Sequence, residues 1–207
     1  MRTRLWLVVA FATALVSISA AAQAQRTAAA LVLTEGVVYL NDRLVEANSL
    51  PSVLPDAAVL RTTQGRAAIA LKRGGWIFLE SATSVRVFGN SVYNFNRLEV
   101  LTGSAIVASG TSAPQVECER QVRLSDAGLF RFDVLQVDAL AERFCRVLVY
   151  EGAAAVQLVT VTNALRVGQT MTCNRRCGDM IQTNDFSTSH LDGFDQWVRR
   201  THELLRR

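Results

Sequence analysis

Lysine is almost missing from this 207-residue chain: Lys72 is the only one, although arginine abounds. Histidine occurs just twice, at His190 and His202, both within the last twenty residues. That scarcity leaves little material for imidazole acid–base chemistry, and no H-E-x-x-H zinc motif is present. There is no phosphate-binding glycine loop and no G-x-S-x-G elbow. Gly110-Thr111-Ser112 begins like an elbow, but Pro114 stands where its second glycine belongs. Charge of one sign is also lacking, since 22 basic residues face 18 acidic ones. Such near-balance carries no electrostatic footprint for nucleic acid. The excess of arginine and alanine fits a GC-rich genome, so arginine abundance alone marks no binding site. Beyond the first two dozen residues no apolar run is long enough to cross a bilayer.

The start of the chain has a different character. Arg2 and Arg4 form a short basic segment, Leu5 to Val16 is nearly all apolar, and Ala22-Gln23-Ala24 makes an A-x-A cleavage site. This order describes a secretory signal peptide over residues 1–24. Thr13, Ser17 and Ser19 weaken the competing reading as a spanning anchor. Cleavage after Ala24 would leave 183 residues with a formal charge of +2 and no membrane span. The expected location is therefore the periplasm, the cell envelope or the medium, and the length suits one domain, or one domain with an appendage.

Four cysteines in an exported chain lead to disulfides by default. Cys173 and Cys177 are separated only by Asn-Arg-Arg, so a bridge there closes a local loop. Cys118 and Cys145 then pair across two strands. Loop-closure entropy makes the short bridge worth roughly 2 kcal/mol and the long one roughly 3–4 kcal/mol. A four-thiolate zinc site needs two close pairs, and only one pair here is close. Cys177 is followed by glycine without a histidine, which excludes a c-type haem signature. No cofactor or metal is expected.

The middle of the chain alternates. In Arg66–Leu71, residues Ala67, Ile69 and Leu71 fall on one side and Ala68 and Ala70 on the other. Val85 and Val87 alternate with Ser84 and Arg86, and Phe130, Phe132 and Val134 alternate with Arg131 and Asp133. Leu31–Leu40 reads as two strands broken at Glu35-Gly36, and Thr62–Gly65 as a turn. Leu98–Leu101 and Ser104–Ala108 are further strands with Thr102-Gly103 as the break between them. Pro51 and Pro55 confine Leu44–Leu60 to an edge or loop. Gly89–Asn96 reads as a hairpin connection or an irregular loop, and Asp138–Arg143 as one helical turn or a polar loop. Many short strands between Gly, Asn and Asp turns predict an all-β sandwich or roll over residues 31–170. The runs GVVYL, GRAAIAL, GSAIVA and GAAAVQL begin at unequal intervals, which argues against a strict repeat.

Residues 171–188 read as a disulfide-bearing loop or linker, and 189–206 as an amphipathic helix. Phe194, Trp197, Val198, Leu204 and Leu205 mark one face of it. Ser189 to Asp192 fits a capping box, and Arg199, Arg200, Arg206 and Arg207 lie towards the end where the helix dipole favours cations. The apolar face either packs on the domain's own sheet or docks on a partner or membrane.

Candidate chemistry is sparse. The carboxylate pairs Asp133/Asp138 and Asp192/Asp195 have the residue types for glycosidase work, while the ordinary role of such groups is solvated surface charge. Tyr93 and Phe95, beside Asn90, Asn94 and Asn96, form a loop able to stack on a sugar or peptide. Tyr93, Phe95, Phe194 and Trp197 are thus the candidate partner-binding residues.

The ordered runs TTQGRAAIAL, GGWIFLESATSVRV, LEVLTGSAIV and VLVYEGAAAV resemble the FecR-type domain, a bacterial iron-dicitrate sensor family. The resemblance spans Leu31 to Val167, and the tail FDQWVRR is similar to one found on exported members. Where the family has a "GT.F" strand, this chain has Gly128-Leu129-Phe130-Arg131-Phe132. FecR-type regulators carry a cytoplasmic segment that restrains a sigma factor and then a membrane helix, whereas this chain opens on an export signal. The resemblance implies an all-β envelope module that recognises another protein, and it brings no catalytic residues. The functional expectation is a non-catalytic exported protein-binding or signalling-related module. The alternative is an envelope protein that binds or cleaves cell-wall glycan.

Overall fold

Three long strands organise the molecule, because each bends sharply and serves two layers. The computed structural model describes residues 29–71, 74–90, 95–137, 142–176 and 183–206. Residues 1–24, expected as a signal peptide, together with Tyr93, the 138–141 stretch and Cys177, lie outside the described residues.

β1 (Ala29–Leu40) runs antiparallel to β4 (Ala58–Leu71) along almost its whole length. The short β2 (Arg43–Leu44) and β3 (Ser52–Leu54) pair only with β1, so the proline-bearing segment sits at an edge as expected. One half of β4 pairs with β5 (Gly75–Leu79) and the other with β6 (Ser84–Asn90). β7 (Phe95–Ala108) lies in the middle. Its first half pairs with β6 and, in parallel, with β8 (Gln115–Cys118); its second half pairs with β5 and β10 (Leu129–Val137). From β8 one layer continues through β9 (Arg120–Leu124) and β12 (Ala153–Gln157) to β13 (Thr162–Arg166). From β10 the other continues through β11 (Glu142–Glu151) and β14 (Gln169–Cys173) to β15 (Thr183–Asp185). The result is an all-β roll of two layers joined by three shared strands. The stretch 171–188, expected as a linker, instead supplies most of β14 and all of β15.

Glycine explains the bends, and here the structure corrects three expected strand breaks. Gly36 has φ +74° and stands opposite Gly65 in the β1–β4 ladder. A Cβ on Gly36 would lie 2.0 Å from the Gln64 carbonyl oxygen, and one on Gly65 would lie 1.9 Å from that of Glu35. The backbones therefore cross where neither has a side chain, and each strand continues through the bend. Gly103, with φ +78°, does the same for β7 against Thr83. A glycine suited to a turn is equally suited to a kink, which is why the sequence reads as broken strands.

Strand alternation sorts the apolar residues into two cores. Ala67, Ile69, Leu71, Ile77, Leu79, Val107, Phe130 and Phe132 fill the space between the layers. Ala68, Phe78, Ile106 and Ala108 face the opposite way, beneath a helix, α1 (Gly193–Leu205), which contributes Phe194, Trp197 and Val198. The unbroken apolar run of β5 reflects coverage on both faces. Cys118 and Cys145 form a disulfide that ties β8 in one layer to β11 in the other.

Candidate functional site

The residues that sequence reasoning set aside as solvated charge converge under α1. On β10, Arg131 and Asp133 point away from the core that Phe130 and Phe132 fill, and so towards the helix. Arg131 Nε meets Asp133 Oδ1 at 2.8 Å, and Nη1 meets Asp192 Oδ2 at 2.6 Å and Asp195 Oδ1 at 3.2 Å. Arg146, opposite Asp133 in the β10–β11 ladder, donates to its other oxygen at 2.7 Å and 3.0 Å. The Tyr150 hydroxyl donates to Asp195 Oδ1 at 3.0 Å. The side chains of Asp133 and Asp195 are only 3% and 5% exposed. This is a charged clasp of three carboxylates and two guanidiniums, buried at Asp133 and Asp195 and open to water at Asp192 and Arg146.

The helix start belongs to the same unit. Asp192 is the N-cap, its Oδ1 accepting from the backbone N–H groups of Phe194 and Asp195, both at 2.9 Å. Asp195 Oδ2 accepts in return from the Asp192 N–H at 3.1 Å. The capping box therefore lies one turn later than Ser189–Asp192, and Ser189 instead bonds Ser187 through its hydroxyl. Both spacings fit the motif, but only the second offers two carboxylates to Arg131. Such a cap contributes about 1 kcal/mol.

Proton affinities follow from this packing. Burial raises the Asp195 carboxyl, with the Asp192 charge adding to it, and Arg131 offsets only part of the effect. Burial also works against the Asp192 charge, but backbone hydrogen bonds from Asp195 and Phe194 and the Arg131 guanidinium win, leaving its carboxyl below the usual range. Burial first, then the nearby Asp195 charge, pushes the Tyr150 phenol well above its ordinary value. Burial opposes the charge of Arg131, yet Asp133, Asp192 and Asp195 keep it firmly protonated.

Aromatic side chains complete the interface. Phe78 meets Trp197 edge-to-face at 5.9 Å, and Phe194 stacks on Trp197 at 6.2 Å. The Trp197 indole N–H donates to Glu35 Oε1 at 2.9 Å, while the Arg66 guanidinium lies 5.4 Å above its ring. Pairs of this kind add about 0.5–1.5 kcal/mol each beyond the area they bury. Phe194 and Trp197 thus hold the helix to its own sheet. Either could reach a partner only if α1 left that position.

The other expected site residues fall elsewhere. Phe95 opens β7 opposite Asn90, at the end of the β6–β7 pairing. Along that hairpin Arg97 lies 4.0 Å over the Phe88 ring, and Arg86 pairs with Glu99 at 2.7 Å. Asp138 lies outside the described residues, so the Asp133/Asp138 pair has no described geometry; Asp133 itself is held by two arginines. Asp192 and Asp195 do meet, but through the capping box and Arg131, and neither lines the cleft of about 360 Å³ beside His202 or that of about 260 Å³ beside Glu119. Among the described residues no cluster of His, Cys, Asp and Glu could hold a metal ion, and no helix is long and apolar enough to cross a membrane. The legible hint of the clasp was GWIFL, whose unbroken apolarity requires a cover on the face that Arg131 and Asp133 share.

No protein-family model matches the sequence, and no curated protein does either. Two crystal structures, each of a candidate anti-sigma factor from Parabacteroides distasonis, resemble the fold. One has a TM-score of 0.51 at 15% identity over 63% of this chain and 60% of that one. The other has a TM-score of 0.49 at 16% identity over 62% of this chain and 59% of that one. The chain thus spans less than two thirds of the length of either protein.

Proposed function

We propose that this chain is a non-catalytic, exported FecR-like module that binds another protein of the cell envelope in a signalling-related role. The observation that carries the reading is the fold likeness to a candidate anti-sigma factor at TM-score 0.51. The ordered FecR-like strand motifs and the export-signal pattern support it. Asp133, Asp192 and Asp195 are engaged in fastening α1, which favours binding over hydrolysis. With Phe194 and Trp197 turned inward, the segment that links β6 to β7 in sequence, with Tyr93 and Phe95, is the one proposed to meet the partner. Loops held on a rigid sheet are where binding residues concentrate.

The test is affinity capture from envelope extracts with the purified mature chain and with the Tyr93→Ala/Phe95→Ala variant. The reading expects one envelope protein held by the first and lost from the second. Release of soluble muropeptides from cell-wall sacculi, abolished by Asp195→Asn in a folded variant, would overturn it.

A further inference from the structure

Among the described residues, four strands have a neighbour on one side only: β2, β3, β13 and β15. An open edge is a template for pairing with another chain, and folded proteins blunt it with charge, proline, a bulge or extreme shortness. β2 has two residues, one of them Arg43, and β3 lies between Pro51 and Pro55. β15 has three residues and ends on Asp185. β13 has none of these devices before its last residue, Arg166. It runs for five residues and pairs with β12 without a bulge. The stretch leading through it, Gly152 to Leu165, holds no charged side chain and no proline.

The hydrogen bonds show which groups of β13 face outward. The Leu158 N–H donates to the Val161 carbonyl oxygen at 2.9 Å, so by alternation Val161, Asn163 and Leu165 turn their main-chain groups to β12. Thr162, Ala164 and Arg166 turn theirs to the open side, where the Gln169 side-chain oxygen accepts from the Arg166 N–H at 3.0 Å. Those three residues are exposed, whereas Leu165 is buried. Val161 and Val167, which flank the strand, are 47% and 54% exposed.

We infer that β13 is a self-association edge, pairing antiparallel with β13 of a second copy of this chain about a two-fold axis at Ala164. In that register Ala164 meets Ala164 of the second copy, Asn163 meets Leu165, and Thr162 meets Arg166. No charge meets a like charge, a condition that most charged strands fail when paired with themselves. Val161 comes opposite Val167 at each end, which gives both exposed valines an apolar neighbour. Leu165 of each copy stays on one face of the joined sheet, as its burial requires. About four main-chain hydrogen bonds form without disturbing the Gln169 contact. The contact is isologous, so it uses up both edges and stops at two copies. A pairing five residues long falls short of a permanent interface, so the dimer is weak and concentration-dependent.

Sedimentation equilibrium of the full mature chain tests this between about 1 µM and about 1 mM, the span of a weak contact. The average mass should climb from one copy towards two and no further. Ala164→Lys sets two ammonium groups against each other at the axis and should abolish the rise. Thr162→Glu places opposite charges across the pair with Arg166, and Thr162→Arg places like ones. The first should tighten the dimer and the second loosen it, each by about two- to thirtyfold. Both positions are exposed, and circular dichroism checks that each variant folds. Should Ala164→Lys not fold, the two Thr162 variants decide alone. A mass that stays at one copy overturns the inference, as does a dimer that Ala164→Lys leaves intact. Masses beyond two copies, or equal loosening by Thr162→Glu and Thr162→Arg, overturn it as well, because they require another surface or another register.

Discussion

Replacing Arg131 with methionine keeps much of the side chain's bulk and removes the charge on which the helix clasp turns. Three carboxylates then lose their common partner, but unequally. Asp192 is half exposed and hydrates readily. Asp133 keeps Arg146 at 2.7 Å. Asp195 is left buried with only the Tyr150 hydroxyl and the capping-box N–H. Stranding one member of a buried ion pair costs about 3–5 kcal/mol. Because burial already raises the Asp195 carboxyl, it can take up a proton and limit the loss, so the lower end, about 3 kcal/mol, is expected at pH 7. Urea unfolding followed by tryptophan emission reads this directly, since Trp76 and Trp197 both lie at the helix–sheet interface. The double variant Arg131→Met/Asp195→Asn should recover at least about 1 kcal/mol by removing the stranded charge. A loss in the single variant below about 1 kcal/mol, the range of an exposed salt bridge, would refute the reasoning.

Gly36→Ala should cost about 3 kcal/mol or more, because its Cβ would enter the Gln64 carbonyl. Gly74→Ala, at the same φ but with open space around it, should cost only about 1–2 kcal/mol; equal midpoints in urea would contradict the bend argument. Because folding raises the Tyr150 phenol, its contribution is complete below pH 10 and is lost as the pH rises above that value. Thermal melts of the native chain should fall faster between pH 9 and 11 than those of Tyr150→Phe, and parallel curves would contradict a phenol raised chiefly by burial. Breaking the Cys118–Cys145 bond should cost about 3.5 kcal/mol by loop closure. Urea unfolding of Cys118→Ala against the oxidised parent measures that loss, and equal midpoints would contradict it.

Much of the architecture could be read from residue alternation. Ala67, Ile69 and Leu71 enter one core while Ala68 turns to the other, and Phe130 and Phe132 part from Arg131 and Asp133 as the period of two requires. The pairing of Cys118 with Cys145 also emerged from sequence, because Cys173 and Cys177 were close enough to be considered together. The bends did not, since Gly36, Gly65 and Gly103 carry the same residue signal whether a strand ends or kinks. Nor did the clasp. Asp133, Asp192 and Asp195 lie on two elements distant in sequence, and only docking of α1 brings them to Arg131 and buries Asp133 and Asp195. Sequence also placed the cap at Ser189, because Ser189–Asp192 and Asp192–Asp195 have identical spacing and tertiary pairing with Arg131 selects between them.

The account turns on α1 being spent on its own sheet while the segment around position 93 meets a partner. Photo-crosslinking in the producing cells, with p-benzoylphenylalanine at position 93 or at the exposed helix position 204, measures that division directly. The account predicts one envelope-protein adduct from position 93 and none from position 204. Adducts from position 204 alone would contradict it and move the partner surface to the helix.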